Sequence, residues 1–151
     1  MKIIETDQVR LIIGIELKTT NDNGAAFQAI PLQWARFFEE AILAKIPNKV
    51  SDDIYGIYTE FQHEGENNNG TYTFIIGAEV SSIDEMSESF VSTILPKSSY
   101  QIFDVAAGHP EMVGEKWQEI WGHAFTNKRT FISDFELYKA NGEIEIYIGI
   151  V

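Results

Sequence analysis

The chain contains no cysteine. That excludes disulfides, thiolate nucleophiles and cysteine-ligated zinc. Positive charge is scarce: 11 Lys and Arg stand against 23 Asp and Glu, a formal net charge of -12. Such an acidic balance argues against direct binding to nucleic acid, where neutralised phosphates supply most of the affinity. It fits attraction of cationic ligands, and it equally fits simple solubility. No apolar run approaches the ~18 residues of a membrane span. No basic segment leads into an apolar run at the N-terminus, so the sequence predicts no signal peptide and a cytoplasmic location. The three histidines, His63, His109 and His123, lack metal-ligand spacing. There is no glycine-rich phosphate loop, GxSxG or Walker pattern. No metal, cofactor or catalytic residue is therefore expected.

What the chain does have is apolar material. Its 151 residues are 44% hydrophobic and 13% aromatic, enough for the core of one domain spanning residues 1–151. Alternation from Val9 through Leu11, Ile13, Ile15 and Leu17 reads as a strand. Pro31 reads as the start of a helix whose apolar stripe includes Trp34, Phe38, Ile42 and Ile46 and which ends at Pro47-Asn48. Residues 54–61 and 72–80 read as paired strands around a polar loop at 63–70. Residues 81–88 read as a connector with at most one helical turn. The pattern then restarts with a strand at 100–106, a turn at Gly108-His109-Pro110, a helix at 111–125 and a hairpin turning at Asn141-Gly142. Phe74-Ile75-Ile76-Gly77 near the end of the first half is echoed by Ile146-Tyr147-Ile148-Gly149 near the end of the second. The expected architecture is α+β: duplicated strand-helix-strand-strand units, about 1–80 and 95–151, forming an antiparallel sheet. A ligand cleft lies between pseudo-symmetric halves, since pockets favour such junctions. Unpaired sheet edges allow a homodimer.

The last hairpin carries the candidate chemistry. With Asn141-Gly142 as a two-residue turn, alternation puts Glu136, Tyr138, Glu145 and Tyr147 on one face. Phe135, Leu137, Ile144, Ile146, Ile148 and Ile150 then fall on the other. A carboxylate-and-aromatic face suits either open water or the wall of a pocket for a flat cation. Trp34 fits the helix core or the crease, and Trp117 with Trp121, one turn apart, fits packing or a ligand box. Tyr58 is either half of a cross-strand aromatic contact with Tyr72 or the mirror of the tail tyrosines.

Tyr100 to Phe103 with Gly108, then Trp117 and Ile120, then Phe135-Glu136-Leu137-Tyr138 and Glu145-Ile146-Tyr147-Ile148, resemble the effector-binding domain of AraC-type regulators and GyrI-like proteins. Pro31 to Phe38 with Trp34, Tyr55-Gly56-Ile57-Tyr58 and Gly77-Ala78-Glu79-Val80 extend the resemblance over nearly the whole chain. It implies a bacterial protein with a cleft in which an acidic residue, matching Glu136, faces rings and binds lipophilic cations. Glu145 fits a second acidic position, and Tyr147, Tyr138, Tyr58, Trp34 and Trp117 supply ring faces. The chain departs from the pattern at Gly149, where many members have proline. It leaves no residues for the helix-turn-helix of the full-length regulators, so it is similar to free-standing members, including those of integron cassettes. Some relatives instead hydrolyse electrophilic small molecules with the cleft glutamate. A third reading is a module that binds a regulator or gyrase-like partner. Of these, binding without turnover is the expectation.

Overall fold

The computed structural model describes residues 2–151. Eight strands form one antiparallel sheet: β1 (Lys2–Glu5), β2 (Arg10–Thr20), β3 (Ile54–Thr59), β4 (Thr71–Val80), β5 (Val91–Leu95), β6 (Ser99–Val105), β7 (Ser133–Tyr138) and β8 (Ile144–Ile150). Three helices accompany it: α1 (Ala25–Glu39), α2 (Ile42–Lys45) and α3 (Val113–Trp121). The strand order is β1-β6-β8-β7-β3-β4-β2-β5. The α+β reading therefore holds. The first half contributes β2-α1-β3-β4 and the second β6-α3-β7-β8, and the halves meet where β3 pairs with β7.

Two strands escaped the sequence reading. β1 precedes β2 in the chain but pairs with β6, and β5 precedes β6 but pairs with β2. Each is short, so its own periodicity is weak, and each is held by the other half of the molecule. Residues 6–9 join β1 to β2, and 96–98 join β5 to β6, across nearly the whole strand order. Links so short require the two ends of the sheet to meet. They do: Ile4 of β1 and Tyr100 of β6 pack in one core cluster with Ile12 of β2 and Leu95 of β5.

The curled sheet buries both faces. Its inner face packs on itself through Ile12, Tyr55, Ile57, Ile75, Tyr100 and Phe135. The outer face is covered over the first half by α1 and α2, through Phe37 and Ile42 against Ile13, Phe74 and Ile76. Over the second half α3 covers it through Val113 and Ile120 against Ile144, Ile146 and Ile148.

Helix α1 begins six residues before Pro31, which lies inside it. Ala25, Ala26 and Ala29 favour helix. The carbonyl that Pro31 cannot satisfy belongs to Phe27, which is exposed, so water can serve it. The helix breaks at Ala41, where φ is +50°. Ile42 and Ile46 consequently reach the core through a separate turn. Phe38, expected beside them, is 62% exposed and stacks on Trp34 instead, while Phe37 takes the core position. Helix α3 is shorter than the 111–125 expected at both ends: Pro110–Met112 forms a separate 3-10 turn, and the helix stops at Trp121, capped by Gly122.

The last hairpin turns on three residues, Ala140, Asn141 and Gly142, rather than two. Gly142 N–H donates to the Lys139 carbonyl and Lys139 N–H to the Glu143 carbonyl, both at 2.9 Å. Gly142 sits at φ +97°, the left-handed position that closes such a loop. One extra loop residue shifts the register by one, and that exchanges the faces of one strand. Glu136 is paired with Ile146 and Tyr138 with Ile144, while Glu145 is paired with Leu137 and Tyr147 with Phe135.

Candidate functional site

Glu136 lies on the outer face at the seam between the halves, opposite Gly56 of β3. It is 2% exposed. Its carboxylate accepts three hydrogen bonds. Tyr58 OH donates to Oε2 at 2.6 Å, Trp117 Nε1–H donates to Oε2 at 2.7 Å, and Tyr138 OH donates to Oε1 at 2.6 Å. These lengths are those of strong, charge-assisted bonds. No Lys, Arg or His among the described residues lies within ion-pairing distance of it. Burial pushes the Glu136 carboxyl above the ordinary glutamate range, and the Tyr138, Tyr58 and Trp117 donors pull it back part of the way. Indole N–H can only donate, so Oε2 must present lone pairs to it.

The donors come from three elements. Tyr138 lies two residues along β7 on the same face as Glu136. Tyr58 reaches across from β3, and Trp117 descends from α3. Trp34 of α1 closes the opposite side, its ring edge-on to Tyr138 at 5.0 Å. Trp117 stands edge-on to Tyr58 at 5.1 Å, and Tyr58 leans on Phe74 at 4.7 Å. Trp34, Tyr58, Trp117 and Tyr138 are each half-buried, so solvent reaches the rings but not the carboxylate beneath. Gly56 makes this closeness feasible. A Cβ there would lie 3.2 Å from Phe74 Cζ, 3.2 Å from Trp34 Cζ2 and 3.3 Å from Glu136 Oε1. A glycine inside a strand marks such an approach; with Phe74, it is a member of the site that the pattern of Tyr55-Gly56-Ile57-Tyr58 did not assign.

Five of the seven expected site residues therefore converge: Glu136, Tyr138, Tyr58, Trp34 and Trp117. Glu145 and Tyr147 do not join them. They lie on the inner face, where Tyr147 stacks on Phe135 at 4.4 Å and donates to Glu145 at 3.0 Å. Glu145 also meets Lys139 at 3.1 Å and Lys2 at 3.5 Å. Burial raises its carboxyl, but Lys139 and Tyr147 outweigh that and leave it below the usual range. The contrast between the two glutamates is chemical. Glu145 has cations for partners, whereas Glu136 has only neutral donors. Tyr58 and Tyr72 do make the expected cross-strand contact, at 5.9 Å, and Tyr72 OH donates away to Asn21 Oδ1 at 2.7 Å.

A groove of about 440 Å³ lies elsewhere, where α1 meets α2, between Phe38, Leu43 and Lys49. It holds no buried titratable group, and its Lys49 and Asp52 already pair at 3.2 Å. Among the described residues no cluster of His, Asp or Glu has the arrangement of a metal site, and no helix is long and apolar enough to cross a membrane.

The model of the Cass2 family, integron-associated effector-binding proteins, matches residues 2–150. YobU of Bacillus subtilis strain 168, a protein assigned by name to transcriptional regulation, is 30% identical over 129 residues, covering 80% of this chain and 79% of that protein. Among solved structures, an integron cassette protein from the mobile metagenome of Vibrio cholerae superposes with a TM-score of 0.78 at 26% identity, covering 99% of this chain and 95% of that one. SAV2435, solved bound to tetraphenylphosphonium, superposes with a TM-score of 0.82 at 18% identity, covering 99% and 93%.

Proposed function

The chain belongs to the Cass2 family of integron-associated effector-binding proteins, and from that membership we propose that its small-molecule site is the crease over Glu136 and that its ligands are lipophilic cations. The observation that carries this reading is a buried carboxylate with no cation of its own, ringed by four half-buried aromatic side chains. A carboxylate out of water costs several kcal/mol unless paired. Neutral donors offset part of that cost and leave a full negative charge beneath the rings. A delocalised cation supplies the missing charge while giving up less hydration than a compact ammonium. Each ring face it covers contributes about 0.5–2 kcal/mol. Apolar area provides affinity, and the carboxylate selects the sign of charge. The tetraphenylphosphonium held by SAV2435, a protein of the same fold, is a ligand of this chemical class.

The same geometry favours binding over hydrolysis. Burial and the Glu136 charge hold the Tyr58 and Tyr138 hydroxyls well above the usual tyrosine range, so they are donors rather than bases. Glu136, with three donors on it, has about one lone-pair site left and is poorly placed to take a proton from a substrate.

Tetraphenylphosphonium has a fixed charge, so any pH dependence of its binding comes from the protein. Protonated Glu136 offers no charge. Because burial holds the Glu136 carboxyl above the ordinary value of 4.5, affinity should fall on acidification, and should do so above pH 4.5. Calorimetric titrations of wild type and Glu136→Gln from pH 7.5 to 4.5 check this. A wild-type affinity flat across that range would count against Glu136 as the counter-charge.

A further inference from the structure

We propose that Trp117 makes this crease select cations that carry no N–H donors, quaternary or phosphonium-type, over protonated amines of the same shape. The inference rests on the cation-binding reading above and narrows it. A carboxylate has about four lone-pair sites. At Glu136 three are taken, by Trp117 and Tyr58 on Oε2 and by Tyr138 on Oε1. The remaining acceptor capacity is on Oε1, the oxygen packed against Gly56 beside Phe74 and Trp34.

A cation that lacks donors loses nothing in such a site. It rests on the ring faces and takes the charge of Glu136 through space, with every existing hydrogen bond intact. A protonated amine arrives with N–H groups that gave up water and need acceptors. The carboxylate can serve them only by releasing a donor that would itself become unsatisfied, and either outcome leaves a buried polar group unpaired. The other acceptors at hand are the phenolic oxygens of Tyr58 and Tyr138, neutral and weaker than a carboxylate. Trp117 is the donor that decides this. Unlike the tyrosines it has no lone pair to offer an ammonium. It also comes from α3 rather than from the sheet, so it is not fixed by the strand register that sets Tyr58 and Tyr138. Acting through Glu136, it is a positioning residue that sets specificity.

The test uses a matched pair, (naphthylmethyl)trimethylammonium and protonated (naphthylmethyl)dimethylamine, titrated at pH 7 into the full chain. The extra methyl alone accounts for about fourfold in favour of the quaternary ion. Wild type should prefer the quaternary ion by more than roughly tenfold, the excess being the unpaired N–H. Trp117→Phe keeps a ring and removes the donor, so the amine gains and the ratio falls towards about fourfold. A general loss of ring contact would weaken both ligands and leave the ratio alone. Tyr58→Phe frees the same oxygen from the sheet side, and it carries the comparison if Trp117→Phe does not fold. A wild-type ratio at or below about fourfold, or a ratio unmoved by the variant, overturns the selection while the cation site stands. If neither these cations nor tetraphenylphosphonium binds wild type, the cation-site reading itself falls.

Discussion

Replacing Glu136 with glutamine should weaken binding of tetraphenylphosphonium by roughly 30- to 150-fold, the equivalent of about 2–3 kcal/mol for removing one partner of a desolvated charge pair. Glutamine keeps the length of the side chain and one oxygen to accept from Tyr58, Tyr138 or Trp117, so the rings have reason to stay in place. The negative charge is lost, and the amide NH2 can donate to the Tyr138 oxygen in place of accepting from it. Tetraphenylborate has the same shape and the opposite sign, which provides the control. Wild type should bind the phosphonium and reject the borate, and Glu136→Gln should erase most of that difference. The net charge of -12 also repels anions at long range. One charge in twelve alters that background little, so a collapse of discrimination in the variant reports on the local carboxylate. Equal discrimination in both proteins would assign sign selection to the whole surface and not to this residue.

The second large effect concerns the fold beneath the site. Asp134 stands two residues before Glu136 on β7 and is 2% exposed. Its Oδ2 accepts from Arg129 Nη2 at 2.9 Å and its Oδ1 from Gly149 N–H at 2.9 Å. Arg129 in turn lies over the Phe131 ring at 4.4 Å. Burial pushes the Asp134 carboxyl up, against the pull of Arg129 and Gly149. Asp134→Ala leaves a mostly buried guanidinium and a buried N–H without partners, and should cost about 3–5 kcal/mol in urea denaturation. That is a large share of the 5–15 kcal/mol typical of a domain. Because the loss comes from the orphaned charge, the double variant Asp134→Leu with Arg129→Met should be less destabilised than Asp134→Ala alone. A cost below about 1 kcal/mol for Asp134→Ala would mean that the pair is not what holds this end of the sheet. The same contact excludes proline at Gly149, where resembling proteins often have it, and glycine fits because a Cβ there would lie 2.6 Å from Thr130 Oγ1 and 3.0 Å from the Ser133 carbonyl. Proline has no N–H, and here that N–H is bonded to Asp134.

These two residues mark where the sequence was readable and where it was not. Alternation on β7 identified Glu136 and Tyr138 as sharing a face, and Asn141-Gly142 placed the hairpin. Neither could fix the register, because a two-residue and a three-residue loop fit the same letters. The one-residue difference moved Glu145 and Tyr147 to the inner face. The repeat of strand, helix, strand, strand was legible from periodicity. The exchange of β1 and β5 between halves was not, since short edge strands are specified by partners roughly 80 to 100 residues away in the chain. Trp117 was visible as half of an aromatic pair on a helix. That its N–H ends on Glu136 is set by the tertiary meeting of α3 with β7, which local pattern does not encode.

The most direct measurement is a crystal structure with tetraphenylphosphonium. The cation should lie in the crease between α1 and α3, over Glu136 and against Trp34, Tyr58, Trp117 and Tyr138, with the Tyr58 and Tyr138 hydroxyls still on the carboxylate. A cation bound instead at Glu145 and Tyr147 on the inner face, or in the groove beside Phe38 and Leu43, would contradict the assignment of the site.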